Sequence, residues 1–128
     1  MNLEDYYDPT AWRLVPGRTA HVVIDDQNDF LHPQGWYATH DIDISHLRRV
    51  IDPTKALNEE CRRRGVPIIW TRHGTRGVED GGPFMLKRKI LLDGGLRKDT
   101  WGYEVLAALE PQQEDWYVEK TRLSAFYQ

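Results

Sequence analysis

The feature that most constrains the fold is a pair of short apolar runs, each of which ends on a charged residue. Residues 19–25 form a predicted buried strand that delivers Asp25, and residues 116–120 form a predicted strand that delivers Lys120. Continuous apolar runs of this length are typical of parallel strands that are covered on both faces. In an open α/β sheet, the carboxyl ends of neighbouring parallel strands open on one crevice. We therefore expect an α/β fold in which Asp25 and Lys120 lie at the same edge of the sheet.

The chain between these runs follows a strand, helix, strand order. A stripe of apolar residues with helical spacing predicts a main helix over residues 53–64, which Pro53 begins and Gly65 ends. Residues 66–72 then form a predicted second strand, so the unit is a parallel crossover. The other connecting segments are predicted to be a long functional loop at 27–45 and a surface excursion at 73–98 with a short apolar patch at 90–92. A second crossover helix is predicted at 100–110.

Length and charge limit the chain to one modest domain and exclude several classes of partner. With 128 residues there is room for one domain, which we assign to residues 20–128 behind an irregular N-terminal arm at 1–19. The formal net charge of -3 gives no basic footprint, so we expect no nucleic-acid partner. No apolar run has the length of a membrane span and no signal-peptide pattern opens the chain. We therefore expect a cytoplasmic protein with no membrane partner.

The convergence of Asp25 and Lys120 has two interpretations. A carboxylate beside an ammonium can accept a proton from a nucleophile, while the ammonium stabilises that carboxylate or a developing negative charge. The same two residues can also form an ordinary ion pair at a strand edge. Strand placement alone leaves both interpretations open.

Two sequence motifs favour the catalytic interpretation. The first strand leads into the segment DDQNDF at residues 25–30, and the third leads into KTRLSAF at residues 120–126. This ordered pair resembles the opening motif and the lysine motif of the isochorismatase-like cysteine hydrolases. The segments at 65–72 and 99–104 are similar to the family's second strand and to the approach to its next helix. The resemblance spans residues 20–126.

The resemblance implies both a fold and a reaction. The fold is a three-layer α/β sandwich with a mostly parallel sheet of Rossmann-like topology, of which this chain holds about the first three strands, so the domain is incomplete at its C-terminus. The reaction is hydrolysis of a C–N bond in a small amide or ureido compound by an Asp, Lys and Cys triad. Asp25 is then the general base and Lys120 its partner, while Phe30, Trp36 and Phe126 are candidate substrate-binding residues. The loop around Trp36 resembles the branch that acts on ureido compounds such as biuret or ureidoacrylate.

The nucleophile is the member of the triad that this chain does not supply by motif. The family's cysteine lies after the lysine motif, whereas the single cysteine, Cys61, lies on the apolar stripe of the predicted main helix. A free cysteine in that position is typically a small buried hydrophobic residue. We therefore expect the nucleophile to lie beyond this chain and the chain alone to be inactive. The alternative is a non-catalytic half-domain that binds a small molecule or another subunit.

Two further expectations concern assembly and cofactors. The first strand keeps an exposed edge, which predicts either a homo-oligomer or completion of the sheet by a C-terminal segment. His32, His40 and His46 lie in or just after the long loop, but they lack the ligand spacing of metal-binding relatives. His73 follows the second strand without a paired histidine on a nearby turn. We therefore predict no metal site and no cofactor.

Overall fold

Three parallel strands form one sheet in the order β1-β2-β3 in the computed structural model, which describes residues 14–127. They are β1 (His21–Ile24), β2 (Ile68–His73) and β3 (Trp116–Lys120). Val23 lies beside Trp70, which in turn lies beside Tyr117. The predicted α/β fold with three parallel strands is confirmed, while residues 1–13 of the predicted arm lie outside the described residues.

Short helices and 3-10 turns fill the connections between the strands. The α-helices are α1 (Asn28–Leu31), α2 (Trp36–Thr39), α3 (Ile51–Arg63), α4 (Val78–Met85) and α5 (Lys89–Leu92). The 3-10 turns are Pro16–Arg18, Leu47–Val50, Trp101–Tyr103 and Ala107–Leu109. None of the helices within residues 14–127 is long and apolar enough to cross a membrane.

The predicted main helix is α3, which begins slightly earlier than expected. Pro53 lies in its first turn, where the missing N–H costs no intrahelical hydrogen bond. Gly65 follows the helix in the left-handed conformation, with a φ of 67°, which a glycine adopts without steric cost. The Val66 N–H then donates to the Cys61 carbonyl at 2.8 Å, and this bond turns the chain toward β2.

The main core lies on one face of the sheet, under α3. Cys61 projects into this core from α3 and is 7% exposed, as expected for a buried hydrophobic residue. Burial raises the pKa of the Cys61 thiol, so the thiol stays protonated and unreactive near neutral pH. The buried members of the core are Val23, Leu31, Cys61, Ile68, Trp70, Val105, Leu106 and Leu109.

The prediction of a second crossover helix at residues 100–110 is wrong. Two 3-10 turns occupy this stretch, and between them Val105 pairs as an antiparallel bridge with Gln27. The Leu106 N–H donates to the Asp26 carbonyl at 2.9 Å, so the backbone is tied to the loop after β1 and cannot complete a helical turn. The apolar spacing that suggested a helix is satisfied differently, because Val105, Leu106 and Leu109 are all buried in the main core.

The predicted surface excursion at residues 73–98 is helical in part, and Ile90 and Leu91 of its predicted apolar patch are buried. This stretch contains α4 and α5, which enclose a second buried cluster formed by Met85, Ile90, Leu91 and Leu96. Gly82 bends α4 with a φ of 55°, in the left-handed region that glycine favours. The frequent glycines and charges suggested a loop, but the apolar residues between them bury enough surface to fix two short helices.

The face of the sheet opposite α3 is open within residues 14–127. Successive strand residues point to opposite faces, and Val22 and Ile24 on this face are 47% and 64% exposed. They line an apolar groove of about 650 Å³ that reaches Lys120. Among the described residues, β1 pairs only with β2 and therefore has a free edge. Of the three layers that the resemblance implies, the described residues form two: the sheet and the helices on one face.

Candidate active site

Asp25 and Lys120 meet at one edge of the sheet. Because β2 lies between their strands, the two backbone positions are about two strand spacings apart, roughly 10 Å. The long lysine side chain crosses this gap, so that Lys120 Nζ lies 2.7 Å from Asp25 Oδ2. The lysine side chain is only 4% exposed and the aspartate side chain 21%. The ion pair is thus largely withdrawn from water, which strengthens the attraction between the two charges.

Thr71 at the end of β2 fixes the carboxylate of Asp25. The Thr71 hydroxyl donates to Asp25 Oδ1 at 2.5 Å, while the Asp25 N–H is 3.1 Å from Thr71 Oγ1 and 3.2 Å from the Thr71 carbonyl. Each carboxylate oxygen therefore has its own partner, Thr71 on one side and Lys120 on the other. Thr71 was not among the site residues predicted from the sequence, although its position between the two charged strand ends is the signal that could have identified it.

The backbone of Asp25 adopts a left-handed conformation, with a φ of 60°. This region is uncommon for residues other than glycine, and aspartate is among those that tolerate it best. The conformation ends β1 abruptly and directs the carboxylate back toward Thr71 and Lys120. Backbone geometry of this kind is frequent at functional sites.

Lys120 is held by its own motif. Its ammonium also donates to the carbonyl of Leu123 at 2.9 Å, so the turn after β3 closes over the lysine side chain. With one bond to Asp25 and one to Leu123, the buried charge has two oxygen partners. These bonds stabilise an ammonium that would otherwise be costly to bury.

Gln27 connects the loop after β1 to the end of β2. Its side chain is fully buried, and its Nε2 donates to the carbonyls of His73 at 3.0 Å and Tyr103 at 2.7 Å. Its Oε1 accepts from the His73 N–H at 2.8 Å. The Gln27 amide thereby supplies hydrogen bonds to backbone groups just where strand pairing ends, and it holds the loop after β1 against the end of β2.

Asn28 and Asp29 of the same motif also bind backbone rather than the cavity. The Asn28 amide donates to the Trp101 carbonyl at 2.7 Å. The Asp29 carboxylate accepts from the Trp36 N–H at 3.1 Å and from the Leu96 N–H at 2.6 Å. Both side chains therefore fix the loops that surround Asp25, and their role in this structure is architectural.

A cavity of about 240 Å³ opens beside Asp25. Its walls come mostly from aromatic and aliphatic side chains of α1, α2, α4 and α5, and Asp25 and Arg88 are the formally charged residues among its lining. The lining residues are Asp25, Phe30, Tyr37, His73, Phe84, Arg88, Ile90, Leu91, Leu96 and Leu123. A largely apolar cleft of this size with a few polar groups suits a molecule smaller than a typical drug.

His73 forms part of the cavity wall at the end of β2. Its imidazole is 5% exposed and lies edge-on to Phe84, with 6.2 Å between the ring centroids. Burial lowers the pKa of His73, even though the negative charge of Asp25 acts in the opposite direction. The imidazole is therefore neutral near pH 7 and adds no charge to the site.

Asp26 is a second carboxyl next to the ion pair. Burial, and to a smaller extent the negative charge of Asp25, raises its pKa to about 6. Its own backbone carbonyl is engaged by Leu106. Of these two adjacent residues, Asp25 has Lys120 as a cationic partner, whereas no ion pair within residues 14–127 involves Asp26.

The three aromatic residues predicted to bind substrate lie in different surroundings. Phe30 lines the cavity and packs edge-on against Tyr37, with 5.0 Å between the ring centroids. Trp36 packs against the second buried cluster, which forms part of the cavity wall, and so lies behind that wall. Phe126 is 99% exposed and lines the open groove on the sheet face. The structure thus brings Phe30 to the cavity and leaves Trp36 and Phe126 outside it.

Cys61 is not near the ion pair. It lines a separate apolar cavity with His21, at the opposite end of β1 from Asp25. Four strand residues at about 3.3 Å each separate these ends by roughly 13 Å. The Cys61 thiol is packed in the main core and is not among the residues that line the cavity beside Asp25.

The loop histidines make local contacts with aromatic rings. His40 stacks on Trp36, with 3.8 Å between the centroids, and His32 lies edge-on to Trp101 at 4.8 Å. Within residues 14–127, no group of three or more His, Cys, Asp or Glu side chains could hold a metal ion.

Comparisons of the sequence with known proteins identify a family. The isochorismatase domain profile matches residues 19–128. Ureidoacrylate amidohydrolase RutB of Agrobacterium fabrum is 34% identical over 133 residues, which cover 93% of this chain and 58% of that protein. RutB of Caulobacter segnis is 33% identical over 126 residues, covering 88% of this chain and 53% of that protein.

The fold comparison agrees with the sequence comparison. The crystal structure of a cysteine hydrolase from Pseudomonas syringae pv. phaseolicola superposes with a TM-score of 0.77 at 29% identity, covering 91% of this chain and 52% of that one. The chain therefore spans about half the length of the relatives that it matches. Sequence profile, relatives and fold together show that the chain belongs to the isochorismatase family.

Proposed function

We propose that the protein is a cysteine hydrolase that cleaves a C–N bond in a small amide or ureido compound. The observation that supports this proposal most directly is the buried ion pair of Asp25 and Lys120 beside an apolar cavity. The relatives named above are amidohydrolases, and the substrate in their name is a ureido compound. We also propose that the protein acts in the cytoplasm and uses no cofactor.

In this proposal Asp25 is the general base and Lys120 holds it in the ionised form. A cysteine thiol gives its proton to the Asp25 carboxylate, and the thiolate attacks the carbonyl carbon of the substrate. The C–N bond breaks, and the leaving nitrogen takes the proton from Asp25. Water then adds to the acyl-enzyme, again losing a proton to Asp25, and the thiol departs with that proton. Phe30 forms an apolar wall for the substrate, and Trp36 supports the cavity wall from behind.

The nucleophile in this mechanism is a cysteine outside these 128 residues. Cys61 is unsuitable because it is buried, keeps its proton and lines a cavity at the opposite end of β1 from Asp25. The apolar groove on the open sheet face reaches Lys120, so polypeptide seated there would approach the ion pair. We propose that a C-terminal segment or a second subunit covers this groove, together with Phe126, and carries the thiol.

A second candidate function is a non-catalytic binding or subunit-interaction half-domain. The position of Cys61 favours it, because the described residues offer Asp25 no thiol to deprotonate. This alternative retains the cavity and the ion pair as a binding site. It differs from the hydrolase in that it releases no ammonia from any amide.

Turnover measurements test the two functions against each other. The protein is expressed from its complete gene, its intact mass is compared with the 15.0 kDa of this chain, and ammonia release from ureidoacrylate is followed. The hydrolase proposal predicts an added segment or a companion chain with a cysteine, activity that Asp25→Asn and Lys120→Met abolish, and activity that Cys61→Ser retains. Absence of any further cysteine, or loss of activity in Cys61→Ser alone, would overturn it.

A further inference from the structure

Arg88 carries the unbalanced charge of the cavity beside Asp25. The Asp25 carboxylate is neutralised by Lys120 at 2.7 Å, and burial keeps His73 neutral by lowering its pKa. No ion pair within residues 14–127 involves Arg88. Since Arg88 is the other charged residue that lines the cavity, the cavity has a net positive charge when it is empty.

The guanidinium of Arg88 lies over an aromatic ring at the cavity mouth, where the arginine is also exposed to solvent. Its Cζ lies 4.9 Å from the centroid of Phe84, which is itself a cavity residue. Stacking on a ring orients the planar guanidinium and leaves its N–H groups available for an acceptor. The backbone is fixed as well, because the Arg88 N–H donates to the Met85 carbonyl at 3.0 Å and the Leu91 N–H donates to the Arg88 carbonyl at 3.0 Å.

The neighbouring lysines do not share this position. All three basic residues of this run are exposed, but Lys87 and Lys89 are absent from the cavity lining, and Lys89 Nζ lies 4.0 Å from Asp93 Oδ2. Of these three consecutive exposed basic residues, Arg88 alone lines the cavity. This difference provides a matched control, because a charge can be removed one residue away without altering the cavity wall.

We propose that Arg88 determines specificity by binding a carboxylate of the substrate at the end remote from the bond that is cleaved. The inference rests on the proposed hydrolase function, since it assigns the substrate class of the same cavity. A guanidinium presents paired N–H donors that match a carboxylate in a bidentate geometry. The neutral ureido or amide end of such a substrate then lies toward Asp25, where the chemistry occurs. Substrates are ureido or amido acids rather than neutral amides.

Equilibrium binding tests this assignment without requiring turnover. Isothermal titration calorimetry, on the protein expressed from its complete gene, compares the binding of N-carbamoyl-β-alanine with that of its neutral terminal amide. The unmodified protein is compared with Arg88→Met, Arg88→Lys and Lys87→Met. We expect the acid to bind the unmodified protein more tightly than the amide. Arg88→Met should weaken binding of the acid about tenfold to a hundredfold and leave the amide within about twofold. The affinity of Arg88→Lys for the acid should lie between those of the unmodified protein and Arg88→Met. Lys87→Met should leave the affinity for both ligands unchanged.

Two results would contradict the role assigned to Arg88. Equal binding of acid and amide by the unmodified protein, or equal losses in Arg88→Met and Lys87→Met, would overturn the assignment. Ammonia release is measured in parallel on both compounds. Binding of the acid that depends on Arg88 without ammonia release would contradict the hydrolase proposal alone, whereas ammonia release without preference for the acid would contradict the role of Arg88 alone.

Discussion

Removing both partners of the Lys120–Asp25 pair should destabilise the protein by less than the two single removals added together. Lys120→Met keeps the length of the buried side chain but leaves the Asp25 carboxylate with only Thr71 as a partner. Asp25→Asn removes the negative charge and tolerates the left-handed backbone, so its effect reports the charge rather than strain. The double variant Asp25→Asn/Lys120→Met contains neither charge.

The burial of the two side chains sets the expected magnitudes. Breaking a fully buried ion pair costs about 3–5 kcal/mol, whereas an exposed pair contributes about 0–1 kcal/mol. Because the Asp25 side chain keeps 21% exposure, Lys120→Met should lower the free energy of unfolding by about 2–3 kcal/mol. Asp25→Asn should cost about 3 kcal/mol or more, since it leaves an ammonium that is only 4% exposed. The double variant should cost less than the sum of the single variants by about 2–3 kcal/mol.

Urea denaturation of the four proteins, followed by circular dichroism, measures this coupling. The slope of the transition should stay constant, so that midpoints report stability directly. Additive effects of the two substitutions, within about 0.5 kcal/mol, would refute the argument, because they would mean that the two charges do not interact in the folded protein.

Three further predictions concern the loops around the site. Burial raises the pKa of the Asp26 carboxyl to about 6, so the folded protein binds the carboxyl proton more tightly than the unfolded chain does. The free energy of unfolding should therefore fall as the pH rises from about 4 to about 6. Partial exposure limits the fall to about 1–2 kcal/mol, and urea titrations of Asp26→Asn should lack it. Gln27→Leu leaves the buried His73 and Tyr103 carbonyls and the His73 N–H without the Gln27 side chain as a partner. The free energy of unfolding should fall by about 3 kcal/mol or more, and an unchanged urea midpoint would contradict this. In Gly102→Ala the new Cβ overlaps the Asp29 carboxylate, which should lower the stability measured by thermal unfolding by about 1–3 kcal/mol. In the control Gly17→Ala the new Cβ meets no atom, and the stability should be unchanged.

The strands and the convergence of their ends could be predicted from the sequence because both depend on strong, local signals. A continuous apolar run followed by a charged residue marks both β1 and β3, and parallel topology then brings Asp25 and Lys120 to one edge. The absent helix at residues 100–110 could not be predicted in this way. Its apolar spacing is compatible with a helix, and the bridge between Val105 and Gln27 that prevents one is a contact distant in sequence.

The cavity could not be predicted from the sequence for a related reason. Its walls come from α4 and α5, whose glycines and charges resemble a loop, and burial of Met85 and Leu91 becomes evident only when the two helices pack together. The role of each residue within a motif cannot be predicted from the sequence either. Gln27 stands beside Asp25 in DDQNDF, yet its amide binds only backbone. Likewise, nothing in the run of Lys87, Arg88 and Lys89 indicates which of them faces the cavity.

The most direct test of the central claim is to identify the residue that forms the acyl-enzyme. The protein expressed from its complete gene is mixed with an activated amide substrate, quenched in acid, digested and analysed by mass spectrometry. The account predicts an adduct on a cysteine outside these 128 residues, present in Cys61→Ser and absent in Asp25→Asn. An adduct on Cys61, or one that forms at an unchanged rate in Asp25→Asn, would contradict it.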